Sequence, residues 1–222
     1  DGSVTGTLTV TDVQVFGGYI LHKGLISEGS LRRNSHVNCK VDYDRRRLIA
    51  PNHSMTHVLN GALRKVLGDS CDQRGSLCNE EKLRFDFSYK KALTLDELKQ
   101  VEDLCRKVVD DAETVTSETM PLEDAKKIEG VRAVFGEVYP DPVRVVSIGD
   151  DTSIEFCGGT HLSHTAEAQA FVLVEETAVA KGIRRITAVT KDAAVEALKA
   201  GEKFTSIVEE AEKLNADSAD LD

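Results

Sequence analysis

The stretch APNHSMTHVLNGALRKVLG, residues 50–68, has the pattern of one bounded helix. Pro51 suits the first helical turn, and Gly68 suits the position just past the last turn. His53 and His57 fall on one side of this helix with other polar residues, and on their own they favour a solvated polar face over a metal site. At about 100° per residue, apolar side chains share the opposite side; they are Met55, Val58, Leu59, Ala62, Leu63 and Val66.

Length and composition predict a globular protein. The chain has 222 residues, 41% of them hydrophobic, enough for a sizeable core in one or two domains. The five cysteines are scattered, no secretory signal opens the sequence, and no apolar run approaches the roughly 18 residues of a membrane span. We therefore expect a soluble, reduced, cytoplasmic protein, with an organellar pool left open. The missing initiating Met suggests a piece of a longer chain.

The charge is acidic and unevenly distributed. A net charge of -10 argues against broad, nonspecific nucleic-acid binding. Residues 191–222 hold nine acidic and four basic residues, which is half of that excess. Four short basic clusters are interpreted as solvated faces, with a local phosphate-contacting patch as the alternative; they are Arg32–Arg33, Arg45–Arg47, Lys90–Lys91 and Lys181–Arg185.

The hydrophobic pattern predicts an α+β fold in three parts. Residues 1–49 hold short alternating segments separated by glycines, typical of a small β-barrel-like unit, here only partial. Residues 50–190 predict a mostly antiparallel sheet packed with helices, and residues 191–222 predict a helical linker with an acidic tail. The expected elements include a helix opened by a TLDE capping box at residues 94–97 and a short helix starting at Pro121. The expected strands are LRFDF, VRVVSI, TSIEF, FVLVEET and IRRITAVT.

A second pair of candidate ligands lies in CGGTHLSH, residues 157–164. Two glycines follow Cys157 directly, so the backbone can turn sharply and present this thiolate and the His161 imidazole to one point. Together with His53 and His57 they make four nitrogen and sulfur ligands, a set suited to tetrahedral Zn²⁺. With both pairs present, the pattern favours a zinc site. The remaining histidines are interpreted as ordinary ones; they are His22, His36 and His164.

The number of ligands bears on the role of the metal. Four protein ligands are typical of a closed structural zinc site, whereas a catalytic zinc usually keeps one position for water or substrate. Two features favour catalysis: the helix presents its histidines on the face opposite the core stripe, and small polar residues flank the ligands. The sequence alone leaves both roles open.

Five motifs together resemble the editing domain of alanyl-tRNA synthetase. This zinc-binding domain recurs in free-standing AlaX-type proteins and in threonyl-tRNA synthetase as the second additional domain. The segment Glu167–Gln169 and the run AVAKGIRRI favour a eukaryotic-type member. The motifs stand in the family's order along most of the chain; they are HSMTH (53–57), QRGS (73–76), LRFDF (83–87), CGGTH (157–161) and AKGIRRITAVT (180–190).

The resemblance implies an activity and its machinery. It implies hydrolysis of tRNA(Ala) mischarged with serine or glycine by a zinc-binding editing core at residues 50–190, without ligase activity in this chain. The rest of the synthetase is the expected partner in cis. The implied metal ligands are His53, His57, Cys157 and His161. The implied pocket residues are Thr56, Gln73 and Ser76.

Ester cleavage suggests roles for the pocket residues. Thr56 and the Gln73–Ser76 segment are expected to hydrogen-bond the serine hydroxyl. Alanine carries a methyl group instead, which would leave these polar groups unpaired, so such a site favours serine over alanine. Gln73 is expected to orient the attacking water. The backbone N–H groups of a turn at Gly75 and Ser76 are the expected donors to the oxyanion.

Two other functions fit parts of the pattern. The first is a non-catalytic zinc module that binds tRNA or a protein, with the metal pinning a helix to a turn. The second is a zinc hydrolase of another substrate, which is disfavoured because no HExxH motif appears. The polar QRGS segment favours editing over the module, since a structural metal site has no use for it.

Overall fold

The N-terminal unit is a β-hairpin. The computed structural model describes residues 5–133 and 137–213, and the chain divides into two compact units, residues 1–41 and 42–222. In the first unit, β1 (Gly6–Phe16) pairs antiparallel with β2 (Tyr19–Gly29). The two-residue turn is Gly17–Gly18, with φ of 56° and 81°. Such turns need left-handed backbone at both positions, which glycine adopts without strain.

The predicted barrel-like N-terminal unit contains no closed barrel among the residues that the structure describes. Within the described part of residues 1–41, β1 and β2 form a two-stranded sheet of their own. A barrel closes only when its last strand pairs with its first, which two strands cannot do. Large apolar side chains of the hairpin are therefore exposed, including Val15, Phe16, Tyr19, Ile20 and Leu25.

The second unit confirms the α+β class, with two antiparallel sheets. The four-stranded sheet has the order β3-β4-β9-β8 and the three-stranded sheet the order β5-β6-β7. A short 3₁₀ helix, Thr165–Ala168, precedes β8. In chain order the elements are α1 (Tyr43–Leu67), β3 (Gln73–Cys78), β4 (Leu83–Ser88), α2 (Leu95–Asp110), β5 (Val115–Met120), α3 (Leu122–Ala125), β6 (Val143–Ile148), β7 (Ser153–Phe156), β8 (Phe171–Ala180), β9 (Ile183–Thr190) and α4 (Lys191–Lys213).

The main core lies between α1, α2 and the four-stranded sheet. On β4, Leu83, Phe85 and Phe87 are fully buried on the inner face, as the alternation in LRFDF predicts. On the outer face, Asp86 accepts two hydrogen bonds from the Arg185 guanidinium, at 2.7 and 2.8 Å. This bidentate pair joins β4 to β9 and fixes their register.

Helix α1 begins at Tyr43, not at Pro51 as predicted. The Asp42 carboxylate caps it by accepting a hydrogen bond from the backbone N–H of Arg45 at 3.0 Å, which provides a start signal upstream of the proline. Pro51 therefore lies inside the helix, where it has no N–H to donate to the carbonyl four residues earlier. The predicted end is confirmed: Gly68 caps the helix with φ of 93°.

The polar side of α1 is buried, which overturns its prediction as a face outside the core. The exposed fractions of His57 and Asn60 are only 4% and 5%. The helix is covered on both sides because it contacts β7 as well as the four-stranded sheet. The face that looked solvated in sequence is therefore an internal polar face.

The C-terminal helix α4 occupies the predicted linker region and contacts β8 and β9. The acidic tail was predicted at the end of residues 191–222, and residues 214–222 lie outside the described residues. The three-part division at residues 1–49, 50–190 and 191–222 stays a prediction. Among the described residues, no helix is both long and apolar enough to cross a membrane.

The capping box of α2 gives a test of the fold. The Thr94 hydroxyl accepts from the backbone N–H of Glu97 at 3.1 Å, and the Glu97 carboxylate accepts from the N–H of Thr94 at 2.8 Å. Replacing Thr94 by alanine removes one of these bonds, so we expect the free energy of unfolding to fall by about 1 kcal/mol. Urea denaturation measures it. Thr116→Ala, at an exposed position of β5, is the control, and an equal loss in both variants would contradict the capping role.

Candidate metal centre and catalytic pocket

Four side chains from two distant segments converge on one point. His53 and His57 lie on α1, and Cys157 and His161 lie in the loop that follows β7. Residues four apart on a helix share a face, so both α1 imidazoles are directed the same way. One candidate ligand atom from each of the four residues lies within 4.8 Å of the other three. The Cys157 Sγ is 3.4 Å from His53 Nε2 and 3.3 Å from His161 Nε2.

Each of the three imidazoles has a polar group of the protein close to its Nδ1 atom. This leaves Nε2 as the ring nitrogen available to the centre, the arrangement of histidines that ligate metals. The three contacts use three kinds of group, a backbone carbonyl, a hydroxyl and a carboxylate. They are His53 Nδ1 to Thr160 O at 3.2 Å, His161 Nδ1 to Ser54 Oγ at 3.1 Å, and His57 Nδ1 to Glu155 Oε2 at 3.5 Å.

The CGGTH loop is shaped by one glycine and one arginine. A Cβ atom on Gly159 would lie 2.0 Å from Cε1 of His53, so only glycine allows the loop to approach this ring. The Arg144 guanidinium on β6 donates hydrogen bonds to the carbonyls of Cys157 at 3.0 Å and Gly159 at 2.7 Å. The loop is thus fixed before any ligand binds, which favours a preformed site.

The cluster is open on one side. His57 is its deepest member, whereas His53, Cys157 and His161 are only half-buried. Gly158 and Thr160 beside them are exposed. A ligand that approaches from the loop side would therefore meet the cluster without any change in the fold.

Burial keeps the three imidazoles neutral. Desolvation, followed by repulsion from neighbouring imidazoles, lowers the pKa of His53 to about 4 and the pKa of His161 to about 2. Desolvation also lowers the pKa of His57, against the attraction of Glu155. For Cys157, desolvation raises the pKa of the thiol. At pH 7 the nitrogen lone pairs are free for a metal, and the thiol must release its proton when a metal binds.

The donor set fits a zinc ion. Three imidazole nitrogens and one sulfur, spaced for a common centre, are the ligands that Zn²⁺ prefers. In such sites a second group hydrogen-bonds the other nitrogen of each imidazole. His53 and His161 make such a bond, and the Glu155 carboxylate lies 3.5 Å from His57 Nδ1. In the part of the chain that the structure describes, this is the one group of side chains arranged for a metal.

Comparison with known proteins agrees with this geometry. The family model described as "Threonyl and Alanyl tRNA synthetase second additional domain" matches residues 143–187, which include Cys157 and His161. The alanine–tRNA ligase of Schizosaccharomyces pombe is 48% identical over 92% of this chain. The chain belongs to the alanyl-tRNA synthetase family. The resemblance stated from the five motifs is thereby confirmed.

Other relatives give the extent of the match. The mitochondrial alanine–tRNA ligase of Saccharomyces cerevisiae is 46% identical over 92% of this chain, and the cytoplasmic enzyme of Bombyx mori is 46% identical over 87%. The chain spans 23% of the length of the S. pombe protein and 22% of each of these two. It therefore corresponds to a segment of such ligases.

The predicted pocket residues Gln73 and Ser76 meet on β3. QRGS was predicted as a loop with a turn at Gly75 and Ser76, but the segment is a strand with a bulge. Gln73 pairs with Phe87 and Gly75 pairs with Asp86, so Arg74 is the extra residue. Strand residues three apart normally face opposite sides, and the bulge cancels that alternation. As a result, Gln73 Nε2 donates a hydrogen bond to Ser76 Oγ at 3.2 Å.

Thr56, the third predicted pocket residue, is buried beside the same strand. Its exposed fraction is 5%. The hydroxyl donates to the carbonyl of Asn52 at 2.8 Å and lies 3.1 Å from Sγ of Cys78, the last residue of β3. The structure thus brings Thr56 to the strand that carries Gln73 and Ser76. Its hydroxyl already has two partners.

A cleft of about 350 Å³ is lined by neighbours of the candidate ligands, but by none of the four ligands and by neither Thr56 nor Ser76. Gln73 forms part of its wall, and so do Glu155 and Phe156, which directly precede Cys157. Asn60, on the same face of α1 as His57, also lines it. The cleft therefore connects the predicted pocket strand to the residues that support the metal cluster.

Neither Glu155 nor Arg144 was predicted from the sequence as a site residue. A weak signal for Glu155 exists in the alternation of TSIEF, which places Ser153 and Glu155 on one face of the strand just before Cys157. Arg144 carries no such signal, because its role depends on the pairing of β6 with β7. Both residues act by holding the ligands rather than by binding the metal.

The close approach of Gly159 to His53 gives a test of the site. We expect Gly159→Ala to weaken zinc affinity by about tenfold or more without removing a ligand, because the new methyl group must displace the His53 ring. Competition with a chromophoric chelator measures the affinity. Gly158→Ala is the matched control, since a Cβ there has no atom within 4 Å. Equal affinities in the two variants would refute the geometry.

The lowered pKa values predict a pH dependence for the zinc-stripped chain. Unfolded histidine binds protons below a pKa of about 6.5, whereas folded His53 and His161 resist protonation until about pH 4 and 2. The unfolded state therefore binds more protons, and the free energy of unfolding should fall as the pH decreases from 7 to 4. Urea denaturation at a series of pH values, with a chelator present, measures this free energy.

The matched variants are His161→Gln and His36→Gln. We expect the free energy of unfolding of His161→Gln to fall less steeply with decreasing pH than that of the parent chain, because the substitution removes a buried imidazole. The exposed His36 should leave the dependence unchanged. Identical curves for all three proteins would show that the cluster does not carry this dependence.

Proposed function

We propose that this chain is the hydrolytic editing part of an alanine–tRNA ligase, which deacylates tRNA(Ala) mischarged with serine or glycine. The observation that carries the proposal is a preformed cluster of three histidines and one cysteine, open on one side, in a member of this family. Zinc is the proposed cofactor. The remainder of a full-length ligase is the proposed partner in cis, and aminoacylation is not assigned to this segment.

We also place this protein in the cytoplasm. Four relatives are named cytoplasmic and one mitochondrial, and these names support the proposed location. The scattered cysteines without a disulfide fit a reducing compartment.

A separate editing reaction has a physical motive. A pocket built for alanine cannot exclude glycine by size, and serine differs from alanine by one hydroxyl group. A second pocket that hydrogen-bonds this hydroxyl discriminates in the opposite direction, because its polar groups stay unpaired against alanine. Glycine has no hydroxyl, so its hydrolysis depends on the fit around the α-carbon.

Thr56 suits recognition of the serine hydroxyl. It donates its own proton to the Asn52 carbonyl, and its oxygen faces the Cys78 thiol. A thiol is a weak donor. The hydroxyl of a bound serine substrate would therefore donate a stronger hydrogen bond to Thr56 Oγ1 than the Cys78 thiol does. Ser76 and Gln73 supply further donors and acceptors on the neighbouring strand.

The remaining chemistry is assigned to the bulged strand and the metal. β3 is an edge strand, and edge strands and bulges leave backbone N–H groups free to bind other groups. Consecutive strand residues direct their N–H groups to opposite sides, so one of the Gly75 and Ser76 N–H groups is proposed to bind the oxyanion. The Gln73 amide is proposed to orient the attacking water. Bound zinc would supply a Lewis acid that holds and polarises the aminoacyl group.

One observation favours a second candidate function. Four protein ligands with supported imidazoles satisfy a structural zinc ion completely. In that case the metal only pins α1 to the CGGTH loop, and the chain is a non-catalytic module that binds tRNA or a protein. The half-buried Gln73 in the cleft beside the cluster favours editing.

The decisive experiment follows loss of the aminoacyl ester from seryl-, glycyl- and alanyl-tRNA(Ala), with the chain zinc-loaded, zinc-stripped and zinc-restored. We expect the serine and glycine esters to be lost selectively and only with zinc. Cys157→Ala should abolish both stoichiometric zinc and hydrolysis. Zinc binding without any ester loss, even at high enzyme concentration, would favour the non-catalytic module.

The pocket is tested separately by Thr56→Val and Gln73→Ala. We expect Thr56→Val to reduce the preference for serine over alanine by about tenfold, as a lost hydrogen bond to a substrate hydroxyl does. Gln73→Ala should reduce the rate for both serine and glycine. Gln100→Ala, exposed on α2, is the control. Unchanged rates and unchanged discrimination in the two pocket variants would disprove the assignment.

A further inference from the structure

We propose that Glu155 is a positioning residue for the zinc site, which holds the His57 imidazole by accepting a hydrogen bond from Nδ1–H. The inference rests on the proposed zinc binding and extends it to a residue outside the ligand set. Glu155 Oε2 lies 3.5 Å from His57 Nδ1. This hydrogen bond would fix the ring tautomer and direct the Nε2 lone pair to the metal.

The Glu155 carboxylate is held so that one oxygen is left for His57. The residue is only 8% exposed, and a buried carboxylate needs donors. Its Oε1 accepts from Asn60 Nδ2 at 2.9 Å and from Ser153 Oγ at 3.0 Å. Arg132 also faces Oε1, at 4.0 Å. With Oε1 occupied, Oε2 is the oxygen available to the imidazole.

The His57 ring has a matching requirement. Its Nδ1 is buried and makes no hydrogen bond within the described residues. A buried N–H without an acceptor is destabilising, so the nearby carboxylate oxygen is its natural acceptor. The remaining gap is a few tenths of an ångström beyond a normal hydrogen bond.

This support differs from that of the other two imidazoles. His53 and His161 face a backbone carbonyl and a hydroxyl, both neutral. Only His57, the deepest ligand, faces a carboxylate. Three neutral imidazoles and one thiolate leave a bound Zn²⁺ with a net charge of +1, and a buried anion beside the ligands offsets that charge. Glu155 also lies two residues before Cys157. Strand β7 therefore positions both the carboxylate that faces His57 and the start of the loop that carries Cys157 and His161.

The test uses Glu155→Gln, which keeps the size of the side chain. Its amide has a single oxygen, so it cannot accept from both Asn60 and His57 through separate oxygens. We expect zinc affinity, measured by chelator competition, to fall about 10- to 100-fold. Glu118→Gln, an exposed position on β5, makes the same change in charge and should bind zinc like the parent chain.

A second readout separates positioning from general stability. Thermal unfolding of the zinc-stripped proteins reports the fold alone. We expect the difference in unfolding midpoint between Glu155→Gln and the parent chain to be larger with zinc than without it. An affinity within twofold of the parent, or an equal midpoint shift with and without zinc, would overturn the proposal.

A third measurement needs no substitution. Long-range ¹H–¹⁵N spectra of the zinc-loaded parent chain identify the nitrogen that carries the proton in each imidazole. We expect a protonated Nδ1 and a metal-bound Nε2 for His57. Coordination through Nδ1 would overturn the proposal even if every Glu155 variant failed to fold.

The outcomes distinguish this inference from the proposed function. A parent chain that binds zinc and hydrolyses the serine ester, with an unchanged Glu155→Gln affinity, overturns only the role of Glu155. A parent chain that binds no zinc overturns both proposals. Zinc binding that depends on Glu155 but brings no hydrolysis supports the positioning role and refutes the editing proposal.

Discussion

The packing of α1 against β7 and the loop after it is the contact on which the candidate site depends. It joins segments about 100 residues apart in the sequence. His53 Nε2 and Cys157 Sγ, for example, lie 3.4 Å from each other. Without this contact the two ligand pairs would be separate surface features. The same contact buries His57 and Asn60, so the cost of burying polar groups is tied directly to assembly of the site.

That cost is offset in part by a connected set of polar contacts, since His57 Nδ1 and Asn60 Oδ1 make no hydrogen bond within the described residues. Ser54 contacts His161 and also accepts a hydrogen bond from the backbone of Leu162 at 3.0 Å. Glu155 accepts from Asn60 across the α1–β7 contact. Arg144 fixes the loop from the side of β6. A buried polar network of this kind specifies one arrangement, because most alternatives leave a donor or acceptor unpaired.

The pattern of the sequence predicted the elements whose signals are local. LRFDF, the α2 capping box and the strands FVLVEET and IRRITAVT are confirmed, because alternation and capping act within a few residues. The start of α1 was misplaced, since Asp42 caps the helix upstream of a proline that suits a first turn. The bulge in QRGS was missed, because a bulge depends on the register of β3 with β4.

The sequence by itself determined the donor set of the candidate site, since HSMTH and CGGTH name four nitrogen and sulfur ligands and the motifs around them identify the family. Only the tertiary structure decided how these ligands are held. Glu155, Asn60, Ser54 and Arg144 acquire their contacts through the meeting of α1, β6 and β7. A motif encodes residue types at fixed spacing, whereas burial and hydrogen-bond partners depend on which distant segments pack together.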